Sequence, residues 1–300
     1  MDAEESTHLK MHLSPRELSR AVGASESTLK RWTDDGLLRA TRTAGGHRRI
    51  AIGEAVRFVR AAGLTVVDAA ALGLPELSGA FGGSEESDAS SVLFNALTEG
   101  DASRCRGLIL QSYLAGQAVA QIADQQIAPA MRRIGDLWKH DRKGILLEHR
   151  ATNLLIEAVA QLRSLLSRPA DDAPLAIGAA PTGDPYVLPT LLAATALADE
   201  GWRDMNLGPE TPLDVLRLAM AASRPKLVWL SITTEPRQNA DIAHNINEML
   251  EEQHAWGGRM VVGGQRCPRR IPSAPGLCHA TSMCELTAFA RGLAATSAKP

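Results

Sequence analysis

The sequence predicts a multidomain chain built in three parts: a winged helix-turn-helix, then a four-helix bundle, then an α/β doubly wound, Rossmann-like parallel sheet. Three observations carry this. The first 70 residues concentrate capping signals, a glycine turn and arginines; the middle places apolar residues at helical spacing with few breakers; beyond Pro169 short apolar runs alternate with helix-length segments. At 300 residues the chain has room for two or three domains, each with its own core.

The helix-turn-helix rests on local signals. Ser14 followed by Glu17 is a capping box, and Pro15 takes the first helical position, where a missing N–H costs nothing. Leu18, Ala21 and Val22 form an apolar stripe, Gly23 ends the helix, and Ser25 with Thr28 opens a second helix that runs toward Gly36. Spacing puts Ser27, Lys30 and Arg31 on its outer face, while Leu29 and Trp32 pack inward. After Leu38, the stretch 39–50 reads as two short strands around Gly45-Gly46 carrying Arg39, Arg42, Arg48 and Arg49, a basic β-hairpin wing. Between residues 13 and 60 there are ten Lys or Arg against five acids, although the whole chain has a net charge of -2. A local excess of this kind suits a surface that meets phosphates.

The boundaries expected from composition are a DNA-reading head over 1–72, a small and polar linker over 73–90, a bundle over 91–168 and the α/β part over 172–296. Four helices are predicted in the bundle, near 91–99, 101–115, 117–138 and 144–168. In the α/β part, crossovers of helix length between strands near 175–179, 204–207, 227–232 and 260–262 require a parallel sheet, whose ligands sit at the carboxyl ends of the strands. Asp184 and Tyr186, Ser231 and Thr233, and Gly263 with Gly264 all fall at such ends.

Composition excludes some classes. No apolar run reaches the roughly 18 residues that span a bilayer, and Asp2, Glu4 and Glu5 stand where a signal peptide would be basic. A cytoplasmic protein without a membrane partner is expected. Four cysteines are too few for a disulfide scaffold. Cys267, Cys278 and Cys284 lie near His279, but without a Cys-x-x-Cys pair they match no common zinc pattern. They read as buried thiols, with a covalent bilin anchor the one alternative kept.

The order helix-turn-helix, Asp-Gly-Leu-Leu, then Arg-Thr-x-Gly-Gly-His-Arg-Arg resembles the MerR family of regulators over about residues 12–70. That resemblance implies that Arg42, His47, Arg48 and Arg49 grip DNA phosphates while Ser27, Lys30 and Arg31 work in the major groove of a double-stranded operator. The later segments resemble cobalamin-binding domains, through Gly183-Asp184, Ser231-Ile232-Thr233 and Gly263-Gly264, and the bundle of light-responsive cobalamin-dependent repressors, through Trp138, Glu148-His149 and Asn153-Leu154-Leu155. In such repressors Trp138 would lie over adenosylcobalamin with Glu148 and His149 beside it, and His149 would take the metal once light expels the adenosyl group. The resemblance implies a dimer or tetramer that changes with the signal, and no enzyme, because no second catalytic module accompanies the corrinoid-type region.

One position departs from the family pattern. Tyr186 stands where that pattern has histidine, and Pro189 where it has glycine. A phenol is a harder ligand than imidazole and suits ferric iron better than cobalt. Three outcomes stay open: cobalamin without a protein ligand below, another tetrapyrrole such as haem or a bilin, or an empty domain kept for partner contacts.

Overall fold

A computed structural model describes residues 12–79, 88–138, 142–235, 242–267 and 274–297. The head opens with β1 (His12–Leu13), α1 (Pro15–Val22) and α2 (Glu26–Asp34), followed by β2 (Thr41–Arg42), β3 (Arg48–Ala51) and α3 (Ile52–Ala61). β3 is the middle strand of a three-stranded antiparallel sheet, with Thr41 opposite Arg49 and His12 opposite Ala51. The predicted capping box is formed in full. Ser14 N–H donates to Glu17 at 2.7 Å, and Glu17 N–H donates back to the Ser14 hydroxyl at 3.3 Å. Leu18, Ala21, Leu29, Leu38 and Ile50 bury themselves between the helices and the hairpin, and the Trp32 ring tilts against Phe58 at 4.9 Å.

The bundle contains α4 (Ala89–Glu99), α5 (Ala102–Leu114), α6 (Val119–Ile122), α7 (Ala128–Trp138) and α8 (Arg142–Leu165). The single helix expected near 117–138 is interrupted. Residues Ala123–Ile127 form a π turn between α6 and α7. Its cause is Pro129, which lacks an N–H and whose ring would press on the carbonyl four residues back; widening that turn relieves both. The turn also sends two polar side chains inward. The Gln126 amide donates to the Ser112 hydroxyl at 2.8 Å and to Gln117 at 2.7 Å, and the Asp124 carboxylate accepts from Met283 and Cys284 N–H at 2.9 and 2.8 Å.

The α/β part runs β4 (Leu175–Pro181), α9 (Val187–Asp199), β5 (Arg203–Thr211), α10 (Leu213–Ser223), β6 (Leu227–Ser231), α11 (Ile242–His254), β7 (Arg259–Gly263), β8 (Leu277–Ala280) and α12 (Met283–Ser297). The sheet is wholly parallel in the order β5-β4-β6-β7-β8. The direction in which successive strands are added reverses between β4 and β6, so the crevice above those two strands is the switch point of the sheet. The edge strand β8 is an addition to the sequence reading, which assigned no element to Cys278 and His279. Four residues beside one buried strand leave too short a pattern to read in advance.

Residues 73–79, expected as the start of a linker, are packed. A 3-10 turn spans Pro75–Gly79, and Leu72, Leu74 and Leu77 are fully buried in a core that joins α1 and α3 of the head to α4, α5 and α8 of the bundle. Glycine and proline there shape a tight descent into the core instead of a flexible tether; residues 80–87 lie outside the described residues. Arg20 and Asp68 add an exposed ion pair at 2.9 Å between α1 and the segment entering this turn. If this packing carries the head, Leu77→Ala should cost about 2 to 5 kcal/mol, the ordinary range for a buried leucine. Urea unfolding monitored by tryptophan fluorescence measures it, and a loss under about 0.5 kcal/mol, typical of a surface position, would return the segment to linker status.

Candidate functional site

Two surfaces gather the predicted residues. The first is on the head. Ser27, Lys30 and Arg31 are exposed on α2, and Arg42, His47 and Arg49 are exposed on the wing. The wing curls toward the helices, and a cleft of about 520 Å³ lies between them, lined by Arg16 and Glu26 on one side and His47, Arg48 and Arg49 on the other. The hairpin turn is held by Thr43 N–H donating to the His47 carbonyl at 2.9 Å and by Gly46 N–H donating to the Thr43 carbonyl at 2.8 Å. Glu54 on α3 fixes the base of the wing, accepting from Arg39 N–H at 2.8 Å and from Arg57 at 2.7 Å. Those hydrogen bonds hold the Glu54 carboxyl below the usual range against the opposing effect of its partial burial.

Arg48 differs from its neighbours. Its guanidinium donates to Asp34 at 2.6 Å and is only 20% exposed, so it braces the wing against α2 and offers less to a ligand than Arg42 or Arg49. Arg16 is the residue the sequence reading missed. A cation in the first turn of a helix opposes the macrodipole, and Arg16 directly follows Pro15 at the start of α1. Its unfavourable position was the available signal, and the structure turns it into the cleft.

The second surface lies between bundle and sheet. α8 is anchored at its carboxyl end, where the Arg163 guanidinium donates to both Asp204 oxygens at the start of β5, at 2.6 and 2.5 Å. Its amino-terminal half therefore reaches the end of the molecule where the strands finish. Ile145 and Leu146 are exposed there, Leu146 by 72%, with Leu137 exposed near the end of α7. The His149 side chain is 72% exposed, with its Nε2 3.8 Å from Glu148, and Glu148 accepts from the Thr152 hydroxyl at 3.3 Å. Trp138 closes α7, but its side chain lies outside the described residues.

On the sheet side a clasp closes the switch point. Asp184, fully buried after β4, accepts the Thr233 hydroxyl at 2.7 Å and the backbone N–H groups of Thr233 and Thr234 beyond β6 at 2.5 and 3.2 Å. The same loop is tied to β5, since Gly183 N–H donates to Glu210 at 2.7 Å and Glu210 N–H to the Asp184 carbonyl at 3.0 Å. Glu210 adopts φ 51°, a left-handed conformation that side chains disfavour and that this double tie imposes. Ser231 is buried at the end of β6. Gly263 and Gly264 follow β7, and a Cβ on Gly264, at φ 115°, would stand 2.3 Å from the Ile232 carbonyl oxygen. Gly264 lets the β7 loop close over the end of β6, and Gly263 admits the close approach of Ala280 in β8, whose carbonyl oxygen would stand 2.6 Å from a Cβ there. Tyr186 begins the turn into α9, 44% exposed, with exposed Val187 beside it.

These residues fit a flat apolar group from one side better than from the other. Leu146 and Ile145 on the bundle and Tyr186 and Val187 after β4 are exposed apolar or aromatic side chains, and His149 is an exposed nitrogen base. On the sheet side the Asp184 carboxylate is already engaged, because both of its oxygens hold the Thr233 hydroxyl. Nor does the space beneath the loop admit a ligand. Trp229 lies across Gly178, where a Cβ would fall 2.0 Å from its ring, and the indole N–H donates to Thr190 at 3.1 Å. Among the described residues no group of three or more His, Cys, Asp or Glu side chains is placed to hold a metal ion, and no helix is long and apolar enough to cross a membrane.

Residues 14–50 match the family model of the MerR family regulatory protein, and residues 91–163 match that of the B12 binding domain. The chain thus joins a head similar to MerR regulators to a bundle similar to the B12 binding domain, followed by a wholly parallel sheet. It is 29% identical over 244 residues, 74% of this chain and 76% of the other, to the HTH-type transcriptional repressor CarA of Myxococcus xanthus. Among solved structures, the monomethylamine corrinoid protein of Methanosarcina barkeri superposes with a TM-score of 0.52 at 18% identity, covering 67% of this chain and 96% of that one. That likeness is one of fold.

The thiols are quiet. Burial pushes Cys105 up to about 11, and burial with the neighbouring Asp124 pushes Cys284 up to about 11; burial also raises Cys267 and Cys278. A raised thiol pKa keeps the unreactive form, so folding favours the protonated thiol at neutral pH and this contribution is lost as pH climbs from about 9 through 11. Iodoacetamide at pH 8.5 should therefore modify native Cys105 and Cys284 at least about tenfold more slowly than in urea. Mass spectrometry of the adducts reads this, and equal rates would restore a reactive cysteine as a covalent anchor.

Proposed function

We propose that this chain is a transcriptional repressor that binds a two-fold or repeated double-stranded operator as a homodimer or tetramer, under the control of a tetrapyrrole seated between the bundle and the sheet. The observation that carries the DNA half is the cleft that brings the starts of α1 and α2 and four wing residues around one concave surface. Ser27, Lys30 and Arg31 read base edges; Arg16, Arg42, His47 and Arg49 hold phosphates, with Arg48 as brace. Phosphate contacts position the head and base contacts select the site. The curated relative is named a repressor, which supports regulation over catalysis.

Cobalamin is the favoured ligand because the bundle matches the B12 binding domain. Trp138, Glu148 and His149 would meet it from above, and the loop carrying Asp184 and Tyr186, with Thr233, Ser231, Gly263 and Gly264 behind it, would form the floor. Bound there, a corrinoid would supply a metal centre with an exchangeable ligand that, in the adenosyl form, is sensitive to light. His149 is the metal ligand of this reading, while Tyr186 is a weak one. A second reading, haem or a bilin in place of cobalamin, or no ligand, is favoured by one feature: the phenol of Tyr186 above a sheet filled by Trp229. The absorption spectrum of protein purified from its native host separates them, since corrin, haem and bilin bands differ and an empty site shows none. Light scattering in the dark and after illumination should show the mass change; a constant mass with bound corrinoid would remove light control.

Salt titration tests the DNA half. Arg42→Ala should weaken binding to every fragment and lower the slope of log affinity against log salt by about one, the value for a lost phosphate contact. Asp34→Ala, which frees Arg48, should strengthen binding to non-specific DNA. Gel-shift titration measures both, and salt-insensitive binding by the wild type would defeat the assignment. For the cofactor half, Tyr186→His should raise adenosylcobalamin retention by about tenfold or more, the usual scale for a group that supports a metal ligand. Equilibrium dialysis reads it, and unchanged retention would place the ligand away from this loop.

A further inference from the structure

A cleft of about 540 Å³ lies where the three parts of the chain meet, away from both surfaces described above. α3 of the head contributes Arg57 and Arg60, α5 of the bundle contributes Tyr113, and the segment from the end of α8 to the end of α9 contributes Leu165, Arg168 and Ala173. Its volume falls within the range of small-molecule sites. Three guanidinium groups line it, against one carboxylate.

That carboxylate, Asp199, is spent: one oxygen accepts the Tyr113 hydroxyl at 3.0 Å and the other accepts Val119 N–H at 2.9 Å. Arg57 is engaged by Glu54 and by the Leu37 carbonyl. Arg168 is 90% exposed and reaches Asp171 only at 3.9 Å. Arg60 is the unusual one. Its guanidinium carbon stands over the Tyr113 ring, 3.4 Å from the centroid, and its Nη1 is buried without a hydrogen-bond partner. A guanidinium set against a ring presents its N–H groups at its edge, and with Nη1 shielded from solvent an anion in the cleft would be met by the rest of that edge. The surrounding wall is apolar, from the Tyr113 ring, Leu165 and the alanines of the loop.

We propose that this junction cleft is a binding site for a small organic anion, a carboxylate on an aromatic or medium-chain body, with the acid group on Arg60 and Arg168 and the body against Tyr113 and Leu165. Because the walls come from the head on one side and the bundle and sheet on the other, such a ligand binds only while the head is docked. Occupancy holds the head to the sensor, whatever the tetrapyrrole surface does.

Calorimetric titration of the full chain with 1-naphthoate, octanoate and inorganic phosphate tests this. Saturable binding of naphthoate or octanoate is expected, weakened at least tenfold by Arg60→Gln. Two further variants guard against Arg60→Gln merely loosening the junction. Arg168→Ser, at the rim, should weaken binding without changing the urea midpoint, and Ala173→Trp, which fills the cleft, should abolish it. Hydrogen exchange of the α3 amides should slow when naphthoate is saturating. Absence of binding by both organic acids, binding of phosphate alone, binding indifferent to Arg168→Ser and Ala173→Trp, or α3 exchange unchanged at saturation would each overturn the proposal.

Discussion

Helix α9 has no side turned wholly to solvent, and the architecture follows from that constraint. Leu188, Leu192 and Ala196 pack into the core shared by head and bundle, while Ala193, Ala194 and Leu197 pack on Trp202, Trp229 and Val261 of the sheet layer. A helix that is apolar all round must be buried on all sides. The bundle therefore serves as the second cover of α9, and the sheet cannot separate from it without exposing one face. Asp199 at the far end of the same helix ties to Tyr113 and Val119 of the bundle, and Asp124 of the π turn caps α12 from the other direction. Polar contacts at both ends give the apolar sandwich one orientation.

That orientation decides what kind of site the molecule can offer. The loop after β4 is pinned to β5 by Glu210 and to β6 by Thr233, so it is a rigid shelf above a filled interior. The exposed ends of α8 and α7, by contrast, carry leucines and a histidine that meet solvent.

The sequence was most legible where the signal is short-range. A capping box, a glycine cap and a paired-glycine turn each depend on residues within a few positions, and the head follows them closely. The parallel sheet was legible as alternation, and Asp184, Ser231, Thr233 and the two glycines were placed at strand ends because such ends carry ligands. What Asp184 does there was not legible. Its partner is 49 residues away, and only the closing of the sheet at the switch point brings Thr233 to it. The same limit hid β8, the π turn before Pro129 and the burial of Leu74 and Leu77, since each answers to packing supplied by distant chain. Arg48 looked like another DNA-facing arginine until Asp34, from the preceding helix, claimed it.

The packed turn at Pro75–Gly79 also bears on how such a chain can be recombined. A head exchanged at residue 72 would leave Leu74 and Leu77 behind as an apolar stub, and would strip α3 of the surface that meets them. The unit that travels is the helix-turn-helix together with this turn, and the natural seam for joining it to a different sensor falls after Gly79. Heads of this type are interchangeable only as far as the receiving bundle reproduces the groove into which those two leucines descend.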